Sequence, residues 1–199
     1  MELRRLFLVA ITPLSKLLGK LHLSPSKRRC KATHARSIAA RAQAGDILLS
    51  RMAGELSNIA IEGYWSHSAI FIGGEIPTIV DATGDGVREV DLFDFVLSKD
   101  NVVLLRPNLP ENTRQAAAQG ALQFVGRPYD YLFESSDEAF YCSELAWTAL
   151  NNASIATEGK PFSFTKRQVW GEYTVLPQDF INATKHFQSL YKCFSERRG

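Results

Sequence analysis

The sequence has only three cysteines, Cys30, Cys142 and Cys193, with no short paired spacing among them. An odd, widely spaced set suggests neither a disulfide framework nor a zinc-binding motif, and a reducing compartment is the simpler setting. Long apolar runs are missing too. No stretch approaches the ~20 residues needed to cross a bilayer, because Lys16 and Lys20 interrupt the one candidate. Internal repeats and low-complexity tracts are also lacking, which sets aside solenoids and compositionally biased chains. What is present is a 45% hydrophobic fraction with 11% aromatics, enough for one ordinary packed domain plus an appendage. Nothing in the composition requires a metal or an organic cofactor.

The formal net charge of +2 conceals an uneven distribution. Residues 1–41 hold ten Lys/Arg against the single acid Glu2, a balance of +9, so the remainder carries −7. This division predicts a basic extension over 1–41 and a domain over 42–199 that meet different partners. Within the extension Leu3, Phe7, Ala10, Leu14, Leu18 and Leu21 recur at steps of three or four, the spacing of one helical face. Thr12-Pro13 and Ser24-Pro25 fit helix starts. Such a face packs on the chain's own core or docks on an anionic membrane surface, helped by Lys27, Arg28, Arg29 and Lys31. Nucleic-acid binding is not expected, because the basic run lacks interleaved aromatics. Arg4-Arg5 followed by Leu6 to Ile11 resembles the start of a secretory signal. Without a small-x-small cleavage site, export is less favoured than a cytoplasmic or membrane-peripheral location.

From Gly45-Asp46 onward, short apolar runs alternate with Gly and Pro turns. Ile47 to Leu49, Ser68 to Ile72, Thr78 to Asp81, Val87 to Leu92 and Val102 to Arg106 read as strands of a mostly antiparallel sheet. Asn112 is expected to cap a helix over Thr113 to Val125, and a second helix runs from Cys142 to Leu150. Strands first and helices afterwards make an α+β arrangement, an antiparallel β-sheet packed against helices, with an amphipathic helical extension in front.

Among reactive side chains, Cys142 follows the polar stretch Ser135-Ser136-Asp137-Glu138 and falls in the first turn of its helix, where the helix dipole favours a thiolate. On the sequence alone, a cysteine flanked by Phe140, Tyr141 and Leu145 is more often a buried small hydrophobe. His67 stands at the mouth of a strand after Tyr64-Trp65-Ser66, where a side chain can point from the sheet edge into a cleft, although by itself a strand-edge histidine is usually structural or solvated. Asp81 ends the next strand and comes near His67 if the two strands form a hairpin. It would then hold the imidazole in one tautomer. Alone, Asp81 reads equally well as a turn residue.

These segments together resemble a known family. Gly45-Asp46-Ile47-Leu48-Leu49-Ser50, Ser66 to Gly73, Val80-Asp81-Ala82 with Gly86-Val87, Gly126-Arg127-Pro128-Tyr129-Asp130 and Tyr141-Cys142-Ser143-Glu144-Leu145 are similar to the circularly permuted papain-like hydrolases. More narrowly they resemble the YiiX/YebB-like branch of the NlpC-type superfamily. The likeness covers about residues 45–185, including Leu176 to Phe180. It implies a permuted papain-like (NlpC-type) fold with Cys142 as nucleophile, His67 as base and Asp81 as the orienting third residue. Tyr129, Tyr141 and Ser66 are the candidate substrate neighbours. The implied activity is that of a cysteine hydrolase cleaving an amide in a peptide or cell-wall fragment. A phospholipid acyl hydrolase or acyltransferase at a membrane surface is the alternative. A catalytically inert binding module is the non-enzymatic one.

Overall fold

In the computed structural model, residues 29–52, 61–131, 138–164, 167–169 and 172–193 are described, with the backbone alone at 167–169, 172 and 173. The leucine-rich stripe of residues 3–21, its two proline signals, Lys27, Arg28 and the polar stretch Ser135 to Asp137 lie outside them.

Six strands make one antiparallel sheet: β1 (Ile47–Arg51), β2 (His67–Gly73), β3 (Thr78–Thr83), β4 (Gly86–Asp91), β5 (Asn101–Pro107) and β8 (Phe187–Cys193), in the order β4-β3-β2-β1-β5-β8. A separate small hairpin pairs β6 (Arg167–Val169) with β7 (Glu172–Thr174). The helices are α1 (Ala32–Ala39), α2 (Leu92–Leu97), α3 (Glu111–Leu122), α4 (Cys142–Glu158) and α5 (Pro177–Asn182). Strand alternation divides the core in two. Ile47, Leu49, Ile70, Val80, Val103 and Leu105 join Ala117 and Ala121 of α3 and Leu145, Ala146, Ala149 and Leu150 of α4. On the opposite face Leu48, Ala69, Phe71, Ile79, Val102 and Leu104 meet Ala35 and Ile38 of α1 and Leu92, Phe95 and Val96 of α2. Strand β1 runs through the middle with both faces covered, which is why Ile47-Leu48-Leu49 is continuously apolar.

The five strands expected from the sequence and the two long helices lie where it places them, with three adjustments, and β8 joins the sheet as a strand not expected from the sequence. The expected strand over Val87 to Leu92 stops at Asp91, whose carboxylate accepts the N–H groups of Phe93 at 2.7 Å and Asp94 at 3.1 Å and so starts α2. Asn112 does not cap α3. The helix begins two residues earlier than expected, at Glu111 behind Pro110, and ends at Leu122, leaving Val125 exposed. Helix α4 continues past Leu150 to Glu158, where Gly159 at φ 67 closes it in the left-handed conformation.

The Gly45-Asp46 turn locks the strand that leads into the core. Asp46 is fully buried and takes a two-pronged ion pair from Arg106, at 2.9 Å and 2.7 Å. Gly45 has φ 85, and a Cβ there would stand 2.3 Å from the Arg114 carbonyl oxygen of α3. Gly45→Ala therefore combines a left-handed strain with a backbone clash that no side-chain rotation relieves. It is expected to cost at least about 2 kcal/mol and to lower Tm by about 4–8 °C in a thermal melt.

Candidate active site

The site is assembled where the first turn of α4 meets the open end of β2. Tyr141 precedes α4 with extended backbone and provides no side-chain cap, so Cys142 opens the helix with its thiol at the positive end of the dipole. The thiol is buried at 4% exposure. His67 is the first residue of β2 and hydrogen-bonds the Cys142 thiol, while the main-chain N–H of Ser68 also favours the thiolate. Burial alone would push the Cys142 thiol up; the His67 imidazole and the Ser68 contacts outweigh it, and its pKa falls below the ordinary value.

Asp81 reaches His67 through sheet register. It lies opposite Ala69 on β2, two residues along from His67 and so on the same face. Its Oδ2 is 3.0 Å from His67 Nε2. Strand β4 supplies a second partner: Arg88 lies directly opposite Asp81 and donates from Nε to Oδ1 at 2.9 Å. Asp81 is 1% exposed. Burial would raise its pKa, yet the imidazole and the guanidinium together hold it down at about 2. For His67 burial favours the neutral ring, but Asp81 and Cys142 reverse this and lift its pKa to about 9. Imidazolium, carboxylate and guanidinium thus form a chain of alternating charge across neutral pH, beside a thiol whose ionised form the imidazolium favours.

The surrounding segments hold these groups in place. Gln178 of α5 accepts the N–H of Tyr64 at 2.9 Å and of Trp65 at 3.4 Å, tying down the approach to His67. Gly63 leaves room for it, since a Cβ there would fall 2.6 Å from the Gln178 Cβ. The Gly126-Arg127-Pro128-Tyr129-Asp130 segment bridges β4, through Val87 N–H to the Arg127 carbonyl at 2.8 Å, and the chain entering α4, through Asp130 N–H to the Phe140 carbonyl at 3.1 Å. Phe95 of α2 sits 6.0 Å behind the imidazole, centroid to centroid.

Of the side chains expected to meet substrate, Tyr129 is bridged through its backbone to Phe140, two residues ahead of Cys142, and burial, with the Cys142 charge second, raises its pKa well above the usual phenol value. Tyr141 is turned inward, its hydroxyl hydrogen-bonded to that of Thr174. Ser66 is buried against β1, its N–H donating to the Ser50 carbonyl at 3.2 Å. Arg88 and Ser68 are the two contributors not singled out from the sequence. Ser68 acts through its backbone and leaves no signal in residue type. Arg88 did leave one: the two-residue Gly84-Asp85 turn fixes it opposite Asp81. Among the described residues, the group of side chains that could together hold a metal ion is Cys30, His34 and Cys193, with ligand atoms within 4.8 Å of one another. Cys193 ends β8, three strands away from β2.

A helix-start thiol facing a strand-borne imidazole, with the histidine strand preceding the cysteine helix, defines the permuted papain-like class. Residues 41–191 match the family described as "Permuted papain-like amidase enzyme, YaeF/YiiX, C92 family", and the chain belongs to that family. It is 31% identical over 119 residues to the "Uncharacterized protein YiiX" of Escherichia coli (strain K12), an alignment that takes in 56% of this chain and spans 58% of that relative. A crystal structure described as metalloprotein yiiX from Escherichia coli O157:H7 shares the fold, with a TM-score of 0.60 at 21% identity over 77% of this chain and 98% of that one.

Proposed function

We propose that this protein is a cysteine hydrolase that cleaves an amide bond of a peptide or cell-wall peptide. The observation that carries this reading is the Cys142 thiol at the start of α4, hydrogen-bonded to a His67 that is itself held by buried Asp81. In the proposed cycle the Cys142 thiolate attacks the amide carbonyl carbon. Main-chain N–H groups in the uncapped first turn of α4 stabilise the oxyanion. His67 gives its proton to the departing amine as the C–N bond breaks, leaving a thioester on Cys142 and a neutral imidazole. That imidazole then takes a proton from water, whose oxygen attacks the thioester, releasing the carboxylic acid and restoring the pair. Asp81 keeps the ring in the tautomer this exchange needs, and Arg88 keeps Asp81 ionised. Tyr129 borders the acyl group; Tyr141 and Ser66 shape the pocket wall from within.

The related E. coli structure is described as that of a metalloprotein. In this chain both Asp81 oxygens are engaged, by His67 and by Arg88, and the thiol is engaged by His67. That set does not fit a metal without losing the charge chain, and no step is routed through one.

Acyl-ester cleavage or transfer at a lipid surface is the second reading, favoured by the +9 balance of residues 1–41. Helix α1 commits its apolar residues Ala35 and Ile38 to the domain core, while Lys31 and Arg36 stay exposed. Among the described residues no helix is long and apolar enough to cross a membrane. The test incubates the full-length protein with a peptide-amide library and with phospholipid vesicles, using Cys142→Ala as the blank. Amide products formed at least about 1000-fold faster than in the blank are expected. Acyl release from the vesicles alone would establish the second reading, and no product from either would leave a binding module.

A further inference from the structure

We infer that Cys30 and Cys193 form a reversible disulfide that staples the segment entering α1 to the edge strand β8. Both thiols are buried, at 3% and 4% exposure, and their sulfurs lie 3.0 Å apart across 163 positions of sequence. Two backbone pairings on the same stretch of chain bring them together. Cys30 N–H donates to the Lys99 carbonyl at 3.1 Å, just ahead of β5, and Cys193 pairs with Val102 within β5. With both main chains anchored at or just ahead of the start of β5, the sulfurs have about 1 Å to close to the bonded separation of about 2.05 Å.

A cluster of two thiols and the imidazole of His34 also suits a soft metal ion in principle. The histidine decides against it. His34 Nδ1 accepts the Lys31 N–H at 2.9 Å as part of the start of α1. Its lone pair is therefore committed, and the neutral ring carries its proton on Nε2, which has no pair to offer. A metal at either nitrogen would require breaking that bond or reversing the tautomer. The disulfide requires neither.

The chemistry follows from an asymmetry between the sulfurs. Cys30 donates its S–H to Cys193, which lowers the Cys193 thiol and raises that of Cys30. The Cys193 thiolate attacks one sulfur of a small-molecule disulfide such as oxidised glutathione, forming a mixed disulfide and expelling one glutathione thiolate. Cys30 then loses its proton and displaces the second glutathione, forming the Cys30–Cys193 bond. Two protein thiols are oxidised, and one external disulfide is reduced to two thiols. Cys142, committed to His67 on the other side of β1, takes no part.

The experiment equilibrates the full-length protein with graded ratios of reduced to oxidised glutathione, alkylates free thiols in denaturant and maps the digest by mass spectrometry. The expected product links the Cys30 and Cys193 peptides in molecules whose Cys142 remains alkylated. Because the cross-link closes a very long loop, Tm should rise by roughly 4–16 °C on oxidation and fall back with reductant. Cys30→Ser should abolish that rise and leave Cys193 carrying a single glutathione. Three results would overturn the inference: both thiols still fully alkylated at the most oxidising ratio, a linkage that includes Cys142, or one zinc ion per chain that protects Cys30 and Cys193 from alkylation.

Discussion

His67→Ala is expected to slow alkylation of Cys142 by iodoacetamide at pH 6 by about 10-fold or more. In the parent protein the imidazolium beside the thiol holds it below the ordinary range, against the opposing effect of burial. Remove the ring and burial is left to act against the Ser68 contacts and the helix start alone. An ordinary thiol with a pKa of about 8.5 is only about 0.3% ionised at pH 6, whereas thiols beside a cationic histidine ionise between about 3.5 and 7.5, so the reactive fraction drops by at least about tenfold. The greater intrinsic nucleophilicity of a more basic thiolate offsets part of this. The measurement is the rate of label incorporation at Cys142, located by mass spectrometry, across pH 5 to 9. Amide hydrolysis should fall further than alkylation, because His67 also protonates the leaving amine. In the parent it should decline as pH rises through about 9, where the His67 proton is lost. An unchanged alkylation profile in the variant would mean that the thiol owes nothing to the imidazole, and the hydrolase reading would go with it.

How much of this was legible in the sequence differs from group to group, for physical reasons. Cys142 and His67 carry local signals, a polar stretch ahead of a helix start and the mouth of an apolar strand, so their positions could be read without long-range information. Asp81 needed one further step, the β2–β3 hairpin, and the register delivers it to the same face as His67. Arg88 needed the same step once more across Gly84-Asp85, and its charge reads as solvated surface until the partner strand is in place. Helix α2 was hidden because six residues are too few to show a helical period, and Asp91 looks like the end of a strand until its carboxylate is seen to cap. The aromatic Tyr141 could equally have faced substrate or core. Its hydroxyl finds Thr174 of β7, a contact between positions that no local pattern connects. The same holds for Cys30 and Cys193, whose meeting depends on β8 closing the sheet beside β5. Spacing rules for cysteine read proximity along the chain, and here the proximity is made by topology.

Asp81→Asn and Asp81→Ala should separate the charge of the third residue from its shape. Alanine removes both hydrogen bonds and leaves the Arg88 guanidinium and the His67 ring facing an empty, buried position. The expected loss is about 3–5 kcal/mol of stability, read as a drop in the urea midpoint. Asparagine keeps the size and an acceptor for one partner, so it should cost less stability but still at least about 100-fold in amide turnover, because the imidazolium loses its counter-charge. The pH dependence identifies the cause. The Asp81 pKa is depressed from 3.8 to about 2, so its contribution is fully present above about pH 4 and is lost as pH falls through about 2. The shift corresponds to about 2 kcal/mol. Unfolding free energies of parent and Asp81→Asn at pH 4.5 and pH 2.5 should therefore converge by about 1.5 kcal/mol at the lower pH, which still lies above the native pKa, since every other carboxylate titrates in both proteins. Parallel curves would show that Asp81 is not ionised against His67 and Arg88 in the native state. Its role would then reduce to filling space, and the raised pKa of His67 would have to come from the Cys142 thiolate alone.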